Sequence, residues 1–513
     1  MTDKTRSFSL ALCVLILLAG AGLRIRQYAF NRSLWLDEAM LANEVIKPAV
    51  VLPAAYQITS TRQAAPPGFM AAAKASTLAF GRTDIALRAF PIACGLLALV
   101  AALGLGTATL KSVSGRACFM ALVSFSPILV YYSSEFKQYA TDVLASILIL
   151  RAGVRFQGTK KDLIALALLG CIAVWFSHAS IFVLAGTGAT LLSAAAARRQ
   201  VKTLWSLCVI VAAWLASFAI LYWLSRGLIS EYHQQMARFW ADGYAPHPLY
   251  SRHAAKWLWE SALGLIYLAF RQAMPVPLQA MPQWFDAFNI CLTTAVGVGM
   301  CCLFFRCPRL FWCAALSIAA AMMASAAQLY PFRSRLILFL VPCIFLGAAG
   351  LVDWLATRGR ASSRWAAWLV FACLVTAVLV PSLRIARRPC NTSDIRRGLA
   401  YVRDHRGSSD SIALSAWSGA AFEFYSPRYG LENVPVVAPI SRDFEIDPFI
   451  RDVCASRPAG RTWVIFSHRI NQKNDFLQAI RARAPQLDVW EGTGAGVYLF
   501  DFSGTNLCSG PST

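Results

Sequence analysis

The chain has 513 residues, of which 57% are hydrophobic and only 14% are charged. Soluble domains contain roughly 45–50% apolar residues, so this composition excludes an ordinary soluble protein and indicates many membrane spans. The net charge of +22 would suit a nucleic-acid-binding protein, but Lys and Arg concentrate in alternate connections between apolar segments. That placement is typical of membrane topology, and we expect no nucleic-acid partner.

Apolar segments of about 20 residues, the length that crosses a bilayer, recur along the chain. They predict about eleven transmembrane helices, at 8–23, 86–109, 117–133, 138–152, 163–177, 180–197, 203–224, 288–305, 310–327, 335–356 and 365–382. The first segment could instead be a cleaved signal peptide. Arg24 and Arg26 follow it without a small-x-small cleavage site, which favours an uncleaved anchor.

The charge pattern predicts a cytoplasmic N-terminus in an inner or plasma membrane. The two long loops, 24–85 and 225–287, and the tail, 383–513, then lie on the extracytoplasmic side. Large external segments indicate that the protein acts on its substrates at that face of the membrane. We therefore expect a membrane domain over 1–382 and a soluble domain over 383–513.

The stretch Ser33-Leu-Trp-Leu-Asp-Glu-Ala-Met40 places Asp37 and Glu38 shortly after the first span. Two interpretations remain open. Carboxylates at the start of a helix interact favourably with its dipole. A pair of acids at a membrane boundary also marks functional sites.

Later external turns carry further ionisable and aromatic residues. The turn after the third predicted span contains Tyr132, Glu135, Lys137 and Tyr139, where Glu135 and Lys137 could simply pair with each other. His178 occupies the next turn, and a lone His at an interface is more often structural than catalytic. The segment Tyr330-Pro-Phe-Arg-Ser-Arg335 places Arg333 and Arg335 where few cations are expected, which indicates an anionic ligand.

The second long loop is rich in aromatic residues and His, which suits either a sugar-stacking surface or an aromatic membrane belt. The tail alternates short apolar runs, near 411–417, 434–438, 462–466 and 496–500, with helical patterns near 393–406, 446–456 and 473–484. This alternation predicts an α/β domain with a largely parallel sheet between two layers of helices. Without a motif for catalysis, we expect this domain to support the protein or bind an acceptor.

Taken together and in this order, several of these motifs resemble the GT-C superfamily of membrane glycosyltransferases. They are Asp37-Glu38, Pro66-Pro67-Gly68, Arg88, Tyr132-x-x-Glu135-x-x-x-Tyr139 and Tyr330-Pro-x-Arg333-x-Arg335. The similarity is greatest to the bacterial protein-mannosyltransferase-like and aminoarabinose-transferase-like branch. It implies a polytopic α-helical bundle of about eleven spans with a C-terminal extracytoplasmic α/β domain.

The resemblance also implies an activity: an inverting transfer of a hexose or pentose from a polyprenyl-phosphate donor to a lipid, glycan or protein acceptor. Asp37 corresponds to the catalytic acid of the first loop, with Glu38 beside it, and Glu135 corresponds to the second acid. Nearby cations and polar rings would hold the donor; the candidates are Arg333, Arg335, Lys137, Arg62, His178, Tyr132 and Tyr139. Lys137 stands where many relatives have an arginine, and a lysine lacks the bidentate fork.

General chemistry agrees with these roles. A carboxylate that accepts a proton from the acceptor hydroxyl makes it a better nucleophile, and cations stabilise the departing phosphate. Asp37, Glu38, Glu135 and His178 could together hold a divalent cation, but their spacing has no ligand pattern, so we expect no obligatory metal. A lipid-carrier flippase or another transporter is the alternative function. It is less favoured because the candidate residues lie at span boundaries rather than at mid-membrane.

Overall fold

The computed structural model describes residues 3–47, 65–270, 287–415, 417–440, 445–455, 460–468 and 473–503. Arg62, one of the predicted phosphate-binding cations, lies outside the described residues. The described residues form two compact units. One comprises Met1–Phe30 with Val51–Pro389, and the other comprises Asn31–Val50 with Cys390–Thr513. The stretch that carries Asp37 and Glu38 therefore belongs to the same unit as the tail.

Helices make up most of the chain before residue 390. They are α1 Asp3–Ala29, α2 Leu36–Ile46, α3 Pro67–Phe80, α4 Asp84–Thr109, α5 Val113–Phe125, α6 Pro127–Tyr132, α7 Tyr139–Arg155, α8 Lys160–Phe176, α9 Ser180–Ala197, α10 Val201–Phe239, α11 Arg252–Phe270, α12 Ala287–Arg306, α13 Pro308–Ala326, α14 Val341–Ala356 and α15 Ala361–Arg387. Short 3-10 helices lie at Ala241–Gly243 and Ser334–Leu340.

Each predicted span coincides with helical structure. Among the described residues, eight helical segments are long and apolar enough to cross a membrane. Of the other predicted spans, Val113–Phe125 has 13 residues, while α7 and α8 have 17 each. The expectation of an integral membrane protein with a helical bundle is confirmed.

Polar residues at the boundaries explain where several apolar helices begin. The Thr83 hydroxyl accepts a hydrogen bond from the Ala86 amide at 3.1 Å and caps α4. Ser112 caps α5 in the same way through the Gly115 amide, at 2.9 Å. Such side chains satisfy amide groups that have no partner within the helix, which matters most where water is scarce.

Glycine allows α12 and α14 to approach each other closely. A Cβ atom built on Gly299 would overlap the carbonyl oxygen of Gly347 and lie 2.7 Å from its carbonyl carbon. On α14, a Cβ atom at Gly350 would lie 2.9 Å from Cγ of Leu303. Membrane helices associate through such contacts between small residues, because lipid provides little hydrophobic force between them.

The tail forms the predicted α/β structure around a five-stranded sheet. Its elements are α16 Ile395–His405, β1 Ser411–Ser415, α17 Gly419–Tyr425, β2 Val436–Ile440, α18 Ile446–Ala455, β3 Arg461–Ser467, α19 Lys473–Arg481, β4 Gln486–Gly492 and β5 Ala495–Asp501. The strand order is β2-β1-β3-β5-β4.

Helices cover both faces of this sheet. Val464 of β3 and Tyr498 of β5 belong to one buried cluster with Phe449 of α18 and Phe476 of α19. The residues that alternate with these along each strand face the other side of the sheet. There the ring centroids of Trp463 and Tyr401, on α16, are 6.1 Å apart. This alternation is the two-residue period of a strand buried on both faces.

The prediction of a largely parallel sheet was wrong. β1 pairs in parallel with β2 and β3, but β5 pairs antiparallel with both β3 and β4. Strand β4 was not predicted, because its residues alternate between partly buried and exposed positions and form no apolar run. An edge strand of this kind joins its neighbour through a short hairpin, and no crossover helix is needed.

The helix contact suggests a first test. We expect Gly299→Ala to lower the thermal stability of the purified protein, by about 1–3 kcal/mol, because the added methyl group separates α12 from α14. Gly297→Ala is the matched control on the same helix, since nothing lies within 4 Å of a Cβ atom built there. Thermal unfolding of both variants in one detergent measures the difference. Equal stability of the two variants would contradict the close packing.

Candidate active site

Glu38 is built into the start of the helix that carries Asp37. Its carboxylate accepts a hydrogen bond from the Trp35 amide at 2.9 Å, as expected for the third residue of a capped helix. The same oxygen lies 3.5 Å from Nη2 of Arg32, and both side chains are almost fully buried. Glu38 therefore has a structural role here, in addition to any chemical one.

The segment around α2 is joined to the tail by several hydrogen bonds within the same unit. The Asn43 side-chain amide donates to the Ala420 carbonyl at 2.9 Å and to the Glu423 carboxylate at 3.0 Å. The Leu34 amide donates to the Tyr425 hydroxyl at 2.8 Å. These contacts join positions nearly 400 residues apart in sequence, so the α/β part fixes where α2 begins.

Asp37 precedes Glu38 in the first turn of the same helix, and its side chain is only partly buried. The residue before α2, Trp35, stacks on His468, with ring centroids 4.1 Å apart and planes inclined by 22°. Burial lowers the pKa of His468 to about 3, although the nearby Asp37 charge acts in the opposite direction. The imidazole is therefore neutral at pH 7 and does not neutralise Asp37. His468 was not among the predicted residues, and its only signal in the sequence is its position just after a buried strand.

A second group of candidate residues lies in the other unit, which contains the membrane helices. Arg335 donates a hydrogen bond to the Tyr132 hydroxyl, and the charge of Glu135 acts on the same hydroxyl. The rings of Tyr132 and Tyr139 are in edge-to-face contact, with their centroids 4.9 Å apart. We call Tyr132, Glu135, Tyr139 and Arg335 the Tyr132 cluster. The structure thus brings together four of the predicted residues.

Packing also explains the position of the turn that carries Glu135. A Cβ atom on Gly95 of α4 would lie only 2.5 Å from Cβ of Ser133, so a glycine is required for this approach. Glu135 and Lys137 are both buried within this turn. Buried ionisable side chains carry a desolvation cost and are rare in membrane proteins outside functional or paired positions.

Arg333 has different neighbours from Arg335. Its guanidinium donates to the Asp242 carbonyl at 3.1 Å and lies 3.8 Å from the Asp242 carboxylate. The Asp242 side chain is 84% exposed, so this ion pair is weak and exchangeable. Burial lowers the pKa of Arg333, an effect that Asp242 and Glu260 oppose. The Phe332 amide donates to the Gly243 carbonyl at 2.7 Å, which fixes this segment against the second long loop.

His178 lies in the turn between α8 and α9, where it is partly exposed and burial lowers its pKa to about 4. The neighbouring Ser177 hydroxyl is hydrogen-bonded to the carboxylate of Asp142. Asp142 is 6% exposed and was not among the predicted residues. An acid near the start of an apolar helix is a signal that could have identified it.

A metal site has no support from the described ranges. They contain no group of three or more His, Cys, Asp or Glu side chains arranged to hold a metal ion. The predicted acids and His178 fall in two units, with Asp37 and Glu38 in one and Glu135 and His178 in the other.

Comparison with known proteins adds information about the fold. No protein-family model matches the sequence, and no curated protein matches it either. Among solved structures, the chain is similar to the archaeal oligosaccharyltransferase AglB from Archaeoglobus fulgidus, in complex with an inhibitory peptide and a dolichol-phosphate. The TM-score is 0.55 at 10% identity, over 97% of this chain and 74% of AglB.

A second similar structure is apo ArnT from Cupriavidus metallidurans, with a TM-score of 0.51 and 12% identity over 99% of each chain. Both are GT-C proteins. The chain has the GT-C fold. The fold that the sequence resemblance implied, a GT-C bundle followed by an α/β part, is confirmed, although identities this low show the GT-C fold alone.

The buried contact of Glu38 gives the second test. We expect Glu38→Ala to destabilise the unit that holds α2 by about 3–5 kcal/mol, because it removes the helix cap and leaves the Arg32 charge buried. Glu38→Gln keeps an acceptor for the Trp35 amide, so its loss should be smaller. Thermal unfolding measures both effects.

The exposed Glu432 provides a control in the same unit. Glu432→Gln should leave stability unchanged. If Glu38→Ala is as stable as Glu432→Gln, the capping contact is not important for the fold.

Proposed function

We propose that this protein is a glycosyltransferase that uses a polyprenyl-phosphate sugar as its donor and acts at the extracytoplasmic face of a membrane. The observation that carries the proposal is the GT-C fold together with the first-loop acid, Asp37, at the start of a fixed helix. AglB was solved with a dolichol-phosphate and an inhibitory peptide. By analogy, the ligands here are a lipid-linked donor and a lipid, glycan or protein acceptor.

In this proposal Asp37 is the general base. Glu38 is committed to the Trp35 amide and to Arg32, whereas Asp37 is partly exposed beside a neutral imidazole. A partly exposed carboxylate at the start of a helix is accessible to an acceptor hydroxyl and can accept its proton. The hydroxyl oxygen then attacks the anomeric carbon as the bond to the lipid phosphate breaks. Attack from the opposite face inverts the configuration, whether the sugar is a hexose or a pentose.

The departing phosphate gains negative charge in the transition state, so cations that bind it accelerate transfer. We propose Arg333 for this role because its partner, Asp242, is exposed and readily exchanged for a phosphate. Arg335 is engaged by Tyr132 and lies 5.8 Å from the ring centroid of Trp240. We assign it to holding the Tyr132 cluster around Glu135. Lys137 and Arg62 remain further candidates for the phosphate, and His178 for the sugar.

Replacing the base tests the proposal directly. We expect Asp37→Asn to reduce turnover by about 100-fold or more, because an amide cannot accept the proton. Donor binding should stay within about twofold, since the amide has the same size as the carboxylate. The measurements are transfer from a purified polyprenyl-phosphate sugar and donor affinity, in the same detergent. Turnover by Asp37→Asn equal to that of the wild type would remove Asp37 from the mechanism.

The two arginines should differ in their effects. Arg333→Ala should weaken donor binding by about tenfold or more, since a charge-assisted hydrogen bond contributes about 1.5–3 kcal/mol. Arg333→Lys should recover part of this loss. Asp242→Asn is a matched control that removes the competing carboxylate, so donor binding should be unchanged or tighter. A larger loss of donor affinity in Arg335→Ala than in Arg333→Ala would reverse the assignment.

A further inference from the structure

His468 lies at the end of β3 in a conformation that few residues adopt. Its backbone φ is +84°, in the left-handed region that L side chains disfavour. Its side chain is 7% exposed, and its Nε2 atom has no hydrogen-bond partner among the described residues. Backbone strain and a buried polar atom are both unfavourable, and such features persist where the surrounding structure requires them.

The surrounding contacts hold this conformation firmly. The His468 amide donates to the Gly494 carbonyl at 2.6 Å, and Nδ1 lies 3.2 Å from the Ser467 hydroxyl. The Ser467 amide donates to the Ser418 hydroxyl at 2.8 Å, and Ser418 donates to the Ile465 carbonyl at 3.1 Å. The end of β3 is therefore fixed by both the β4–β5 hairpin and the loop before α17. A ring carried on this end has a well-defined position.

The ring is placed against the residue that begins α2. It stacks on Trp35 at 4.1 Å, and Trp35 is both the N-cap of α2 and the amide donor to Glu38. The Trp35 carbonyl accepts the Ala39 amide at 2.8 Å, which closes the first turn around Asp37. A shift of Trp35 would therefore move the backbone of the first turn, including residue 37.

We propose that His468 is the positioning residue for Asp37: its ring stacks on Trp35 and so fixes the helix start that presents the carboxylate. This inference rests on the proposed function, because it assumes that Asp37 is the base. It gives the α/β part a role in positioning the base, although no catalytic motif was found in its sequence. A neutral ring suits the role, since a cation at this position would pair with Asp37 and reduce its basicity.

The test uses the purified full-length protein and two readouts. The first is hydrogen–deuterium exchange of the amides in residues 35–40, which reports the helix start whether or not the substrates are known. The second is the kcat and KM for donor transfer. His468→Asn removes the ring but tolerates positive φ, so it is preferred to Ala for preserving the fold.

We expect His468→Asn to increase exchange over residues 35–40 by at least tenfold and to lower kcat by at least tenfold, with the donor KM within twofold. The same substitution in a Trp35→Leu background should have little further effect, because the stacking is already lost. His405→Asn is the control. His405 lies in the same unit but stacks on Tyr401, with ring centroids 3.9 Å apart, and not on Trp35, so neither readout should change.

Several results would overturn the inference. Unchanged exchange in His468→Asn would show that the ring does not hold the helix start. Increased exchange with unchanged kcat would show that the contact does not serve the base, as would multiplicative losses in the Trp35→Leu background. Failure of the proposed function is distinguishable, because Asp37→Asn would then keep full turnover, or the wild type would transfer no sugar, while the exchange data still report the contact.

Discussion

The position of Asp37 depends on the buried contact that Glu38 makes with Arg32 and with the Trp35 amide. A carboxylate removed from water is stable only when its partners replace the lost hydration. Here those partners fix the first turn of a helix of 11 residues, which would be too short to form alone. The second carboxylate of the pair therefore determines where the first one points.

The same contact explains why two adjacent acids have different roles. The side chain at the third helical position folds back to the start of the helix, whereas the side chain at the second position points away from it. Glu38 is consequently buried and Asp37 partly exposed. Local helix geometry, and not a difference in chemistry between Asp and Glu, separates a structural acid from a candidate base.

Sequence reasoning predicted the parts of the fold that have a local signal. Apolar segments located the membrane helices, and short apolar runs located four of the five strands; β4 was missed because polar residues interrupt its apolar ones and leave no apolar run. Motif order led to the GT-C resemblance. The candidates around the turn after α6 were found from their density of charge and aromatic rings, and Tyr132, Glu135 and Tyr139 lie together there with Arg335 from a distant segment.

Long-range contacts had no such signal. Nothing near Asn43 indicates that its amide binds the Ala420 carbonyl, and nothing near Trp35 indicates His468. These pairs depend on how the chain returns after hundreds of residues. For the same reason, the sequence could not show that residues 31–47 form one unit with the tail, or that Arg333 forms an ion pair with Asp242.

The central claim is that the protein consumes a polyprenyl-phosphate sugar, and the most direct measurement is mass spectrometry of lipid-linked sugars in cells that lack its gene. We predict that one such lipid accumulates in the deletion strain, returns to its normal level when the wild-type protein is restored, and stays high with Asp37→Asn. Identical lipid profiles in all of these strains would contradict the account.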